Sequence, residues 1–183
     1  MSWIATHSGG KFDFTDIENA DVDVNDIAHA LAHICRFNGH TDQFYSVAEH
    51  SCHMAQYFIN DENYADAIVA LFHDAPEAYI GDVVRPLKKM YPVFEELEER
   101  IWRRIASVYS LPAEIPHSVK VADKRILLAE AEQLNADWDL DEWEDLGVKP
   151  LPGEVRCWDP VEAEAKFMQT YRFLCNMEIP QRA

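Results

Sequence analysis

The sequence predicts an all-α domain, and three observations carry that prediction. Apolar residues recur at three- and four-residue spacing in successive segments between Asn25 and Met177. Prolines and glycines fall between those segments rather than inside them. Strand-like alternation shows only at Phe12 and Phe14, among polar neighbours within residues 1–22. A chain of 183 residues is long enough to bury a real core and fits one domain, 1–183.

In chain order, residues 1–22 with Gly9-Gly10 read as a hairpin or an irregular arm on the surface of the domain. The first helix opens at Val24-Asn25-Asp26 with Asp23 or Asn25 as N-cap. It carries Ile27, Ala30, Leu31, Ile34 and Cys35 on one face and is expected to end near Phe37-Asn38-Gly39, where Gly39 can take a left-handed cap. His29 and His33 lie four apart on it, but no HExxH glutamate follows His29, so both read as partly packed side chains. Ser46 with Glu49 three residues later is a capping box for the second helix, whose face includes Val47, His50, Met54, Tyr57 and Phe58. A third helix is expected from about Glu62 to Asp74, stopped by Pro76, which lacks an N–H and disfavours αR geometry at Ala75. Val93 to Tyr109 is amphipathic, with Phe94, Leu97, Ile101, Ile105 and Val108 inward and its glutamates solvated. His117 to Leu134 follows the Pro112–Pro116 loop, and Pro160 to Met177 forms the last helix. Between them, 135–160 is acidic and holds Trp138, Trp143 and Trp158, which reads as an ordered lid or subunit contact.

The net charge of −17 argues against broad affinity for duplex nucleic acid or anionic lipid. No apolar run approaches the roughly twenty residues of a membrane span, and residues 1–7 lack the pattern of a signal peptide. The expected location is cytoplasmic. Cys35, Cys52, Cys157 and Cys175 show no CxxC pairing and read as small packed residues.

The densest chemistry lies in Leu71–Asp82, where His73, Asp74, Glu77 and Asp82 surround Pro76. Adjacent residues on a helix point about 100° apart, so His73 and Asp74 share one ion only where the helix is ending. Upstream, His50 and His53 sit on the second helix, and spacing alone leaves open which of them is a ligand. Downstream, Asp123 stands among Val119, Ala122, Ile126 and Leu127, where a buried carboxylate is costly without a cation. Arg85-Pro86-Leu87-Lys88-Lys89 reads as a loop that could cover the site, and it places three cations in five residues of an acidic chain, suited to phosphate or to compensating the glutamates that follow.

This order of words, Ala48-Glu49-His50-Ser51, His73-Asp74 and Asp123 with its neighbours, resembles the HD-domain metal-dependent phosphohydrolases from about residue 27 to 132. Among them it is similar to the YfbR-like 5′-deoxynucleotidases and short phage dATP triphosphohydrolases. The resemblance implies an HD-domain helical bundle and a metal set of His50, His73, Asp74 and Asp123, leaving His53 to packing. It implies Glu77 as the catalytic carboxylate and Asp82 as a second acid at the sugar or nucleophile. It further implies Arg36-Phe37 and Lys88 as nucleotide-binding residues, although an arginine ending a helix is also favoured by the macrodipole alone. Two imidazoles and two carboxylates with open positions suit one divalent ion, Mn²⁺, Co²⁺ or Mg²⁺ better than closed tetrahedral Zn²⁺. The implied substrate is a small-molecule nucleotide, a dNMP first and a dNTP second, and the implied assembly a homo-oligomer. A fold kept for binding without turnover is disfavoured because every matched position is filled.

Overall fold

The computed structural model describes residues 1–135, 137–139 and 147–177. Two short strands, β1 (Trp3–Ala5) and β2 (Lys11–Asp13), pair antiparallel with Ile4 opposite Phe12. A 3-10 turn, Ile17–Asn19, follows. The expected arm is thus a regular hairpin, and it is more than surface dressing, because Phe12 and Ile17 are fully buried. Arg104 Nε donates to Ala20 O and Arg100 pairs with Glu18, tying the arm to a later helix.

The helices among the described residues are α1 (Val24–His33), α2 (Val47–Asn60), α3 (Tyr64–Phe72), α4 (Glu77–Ile80), α5 (Arg85–Met90), α6 (Val93–Tyr109), α7 (His117–Leu134) and α8 (Pro160–Cys175). Helix α5 replaces the loop expected at Arg85–Lys89, its proline sitting in the first turn where no N–H is needed. Asp23 caps α1, as one of the two expected candidates, by accepting from Asn25 N. The end of α1 departs from expectation. It stops at His33, and Ile34 is already extended. Val47 N donates to Ile34 O and Arg36 N donates to Tyr45 O, so pairing with the segment before α2 replaces the helical ladder. Arg36–Gly39 is a separate 3-10 turn in which Phe37 and Asn38 adopt left-handed φ of 54° and 51°.

Helix α3 is apolar on all sides, and Ala67 to Phe72 are all buried, which places it at the centre of the bundle. It packs on α2, while α8 crosses α1, α2 and α3, and α7 lies against α2 and α3. Ser118 near the start of α7 donates to Asp66 on α3, holding these two helices in register. Asn63 caps α3, which begins at Tyr64, two residues after the expected start.

Ser46 accepts from Glu49 N, half of the expected capping box. The other half does not form. Glu49, fully buried, instead takes the backbone N–H groups of Arg156, Cys157 and Trp158 at 2.7, 3.0 and 2.6 Å. That carboxylate anchors the described part of 147–158 to α2, and Leu151 N donates to Arg125 O of α7. Of the segment read as a lid or contact, residues 136 and 140–146, Trp143 included, lie outside the described residues. Among the described residues no helix is long and apolar enough to cross a membrane.

Candidate metal centre

The site forms where α3 ends. His73 and Asp74 occupy the turn after Phe72, Ala75 N donates to Phe72 O, and Glu77 N donates to Asp74 O before α4 begins. His73 keeps αR angles, yet at this helix end the two adjacent side chains converge, with His73 Nε2 3.2 Å from Asp74 Oδ2. From α2, His50 Nε2 comes within 3.2 Å of His73 Nε2 and 3.5 Å of Asp74 Oδ2. From α7, Asp123 Oδ1 stands 3.6 Å from His50 Nε2. The ligand atoms of His50, His73 and Asp74 all lie within 4.8 Å of one another. Ligands at about 2.1 Å from one ion in an octahedron sit roughly 3.0 Å apart along an edge, and about 3.4 Å apart in a tetrahedron. The observed separations are of that size.

The tautomers agree with a cation. His50 Nδ1 is 2.6 Å from Glu130 Oε1, and His73 Nδ1 is 2.7 Å from Ala70 O, so both Nδ1 atoms carry the proton toward an acceptor. Both Nε2 atoms then face each other, and in neutral rings their lone pairs would meet unless a metal ion or a proton stands between them. That is repulsive without a positive charge and is the usual arrangement of metal-bound histidines.

Glu130 is the residue that sequence reasoning missed. It is fully buried on α7 and accepts from Tyr45 Oη at 2.7 Å, from Arg36 Nε and Nη2 at 3.2 and 3.1 Å, and from His50. Burial alone would raise its pKa, but Arg36 and His50 outweigh burial and hold it down at about 2. Its signal was present: Glu130 lies seven residues after Asp123, two turns on along the same helix face.

Arg36 has other partners than the phosphate expected of it. Beyond Glu130, its Nη1 is 3.5 Å from Asp74 Oδ2, and it is buried. Its guanidinium lies 5.5 Å from the ring of Phe37, which packs on Trp138 at 5.2 Å. His53 is a packing residue, edge-on to Trp158, and burial lowers its pKa to about 4. His29 stacks on His7 at 3.6 Å and pairs with Glu164, away from the metal set.

A cleft of about 660 Å³ opens beside His73, Asp74 and Asp123, a size suited to a small ligand. Glu77 and Lys88 line it, whereas Arg36 and Phe37 do not. Lys88 Nζ is 2.5 Å from Glu98 Oε1 and 3.6 Å from Glu77 Oε1. The α6 glutamates read as merely solvated therefore include a wall of this cleft: Glu95, Glu98 and Glu99. Asp82 is half-buried, and burial raises its pKa against the pull of Arg36.

An all-α bundle that gathers His50, His73 and Asp74 beside such a cleft, with Asp123 close to His50 but outside that three-residue cluster, is of the HD metal-dependent phosphohydrolase kind. The chain matches the family profile described as HD domain over residues 31–130 and belongs to that family; it is a hydrolase. It is 41% identical over 137 residues, 75% of each chain, to the "Uncharacterized protein YfdR" of Escherichia coli. It is 33% identical over 190 aligned residues to an uncharacterized protein of Rhodobacter capsulatus, covering 94% of this chain and 95% of that one.

The metal and a proton compete for the same nitrogen. Burial alone would lower the His73 pKa, but the Asp74 carboxylate outweighs it and lifts the value to about 9 in the metal-free protein. The His73–Asp74 pair then contributes stability fully present below pH 6.5 and lost as pH rises through about 9. Titrating the metal-free protein with Mn²⁺ at pH 7.5 should release one proton from His73 and a further share from Glu77, whose raised pKa the cation lowers. Calorimetry in buffers of different ionisation enthalpy measures that number, and zero released protons would remove His73 from the ligand set.

Proposed function

We propose that the protein is a 5′-deoxynucleotidase that converts a dNMP to a deoxynucleoside and phosphate. The observation that carries the choice of a monophosphate is the charge of the cleft. Seven carboxylates line it, Asp74, Glu77 and Asp123 at the centre and four more on α6 and the loop after it, against four Lys or Arg side chains. Lys88, one of the four, is already neutralised by Glu98 and Glu77. One divalent ion leaves such a cleft short of the positive charge that a triphosphate requires, while a dianion remains tolerable.

His50, His73 and Asp74, with Asp123 beside them, would hold the ion, which would supply Lewis acidity toward the phosphoryl group and the attacking water. Glu77 accepts the proton as the water oxygen bonds to phosphorus and the bond from phosphorus to O5′ breaks; the leaving oxygen takes up a proton in turn. In this reading Lys88 holds Glu77 from 3.6 Å, and Asp82 meets the sugar or the water. The resemblance of the sequence words to the YfbR-like enzymes supports the deoxy preference.

A panel of dNMPs, NMPs and dNTPs with Mn²⁺, Co²⁺ and Mg²⁺, reading both products, tests it. Orthophosphate and deoxynucleoside from a dNMP are expected. Tripolyphosphate from dATP, with no turnover of dAMP, would overturn the monophosphate assignment.

A further inference from the structure

We infer that Arg85 is the arginine that receives the substrate phosphate, leaving Asp123 as the phosphate arrives; this rests on the phosphohydrolase reading above. Two arginines touch metal-ligand carboxylates. Arg36 Nη1 lies 3.5 Å from Asp74, and Arg85 Nη2 lies 3.3 Å from Asp123 Oδ2. They differ in what it costs to let go.

The Arg36 side chain is 10% exposed and its remaining nitrogens bind Glu130, whose side chain is wholly buried. Drawing Arg36 toward a ligand would strand that carboxylate where no water can replace the guanidinium, which is the expensive way to break an ion pair. The Arg85–Asp123 pair has side chains 43% and 27% exposed. Water solvates both partners on separation, so an exposed pair of this kind gives way at little cost. A phosphate dianion offers the guanidinium more charge than Asp123 does, and two oxygens in fork geometry.

Position agrees with energetics. Arg85 lines the cleft and Arg36 does not. Lys88 is one turn further along α5, and Lys120 lies three residues before Asp123 on α7; both also line the cleft. Lys120 has no ion pair among the described residues, so Arg85 and Lys120 together flank the phosphate from α5 and α7. At rest, Arg85 balances the oxygen of Asp123 turned away from His50; with substrate bound, that contact is exchanged for phosphate.

The test uses full-length Glu77→Gln protein loaded with Mn²⁺, so that binding is read without turnover. Calorimetry with inorganic phosphate, dAMP and deoxyadenosine compares this parent with the added Arg85→Ala and Arg85→Lys changes. Arg85→Ala should weaken phosphate and dAMP binding roughly 10- to 100-fold, leave deoxyadenosine unchanged, and leave Mn²⁺ affinity within about threefold. Arg85→Lys should recover part of the loss, since it restores charge without the fork. Parent-like phosphate affinity in Arg85→Ala overturns the inference, as does a parent that binds no phosphate. A loss fully explained by weaker Mn²⁺ binding overturns it as well, because Arg85 would then act only through Asp123. The two readings fail separately: a wild-type enzyme inert toward every nucleotide sinks the nucleotidase, whereas an active one with unchanged KM in Arg85→Ala sinks only the role of Arg85.

Discussion

Replacing Glu77 by Gln should lower kcat by roughly 10²- to 10⁴-fold, the usual worth of a positioned general base, and at the same time stabilise the metal-free protein at pH 8. Glu77 is buried, one carboxylate oxygen lacks a hydrogen-bond partner among the described residues, and the other is 3.6 Å from Lys88. Burial, reinforced by Asp74 and Asp82, pushes its pKa well above the ordinary 4.5. An acid with a raised folded pKa binds its proton more tightly folded than unfolded. Folding stability therefore falls as pH climbs above 4.5, until the folded pKa is passed. Glutamine carries no such penalty. Its advantage should be small at pH 4 and reach about 1–3 kcal/mol at pH 8, read by urea denaturation of metal-free protein at the two pH values. Equal stability at both, with turnover retained, would mean that Glu77 is an ordinary solvated carboxylate. The strain on Glu77 is what suits it to the reaction, because a divalent cation beside it draws the pKa back toward the range useful to a base.

What the sequence made legible was local. Pro76 stops α3 where the His73-Asp74 pair must fan together, and Ser46 caps α2 so that His50 lies one turn into the helix. These are decided by residues within a few positions of each other. What it hid depends on partners far along the chain. Helix α1 ends at His33 although no proline or glycine follows there, because Ile34 and Arg36 pair with Val47 and Tyr45. Gly39 does adopt positive φ, but two left-handed residues, Phe37 and Asn38, come before it, outside any helix. Glu49 looked like a local cap and instead holds a loop more than a hundred residues away. Glu98 looked like one more solvated charge until Lys88 crossed from α5 to meet it. Arg36 and Glu130 are 94 residues apart.

Removing Glu130 should produce the largest loss of stability of any single change at the site, together with a loss of metal affinity. Among the described residues, its carboxylate is the one fully buried partner common to Arg36, Tyr45 and His50. Truncation to Ala leaves the Arg36 guanidinium buried with Asp74, at 3.5 Å, and the weaker field of Asp82 to answer it. An uncompensated buried charge costs about 3–5 kcal/mol, which for a chain of this size lowers Tm by roughly 6–20 °C. Glutamine at the same position separates the two effects. It keeps the shape and one acceptor oxygen but not the charge that fixes the His50 tautomer, so Mn²⁺ affinity should fall 10- to 100-fold, the range typical for a partner of a metal-bound histidine. The origin of the destabilisation is checked by the double change Arg36→Leu with Glu130→Leu. With neither charge left to bury, the pair of substitutions should cost less than Glu130→Ala alone, because the penalty belongs to the stranded cation and not to the missing contact. If the double variant is the less stable of the two, the network stabilises the fold through its packing and hydrogen bonds, and the charge of Arg36 is incidental to it.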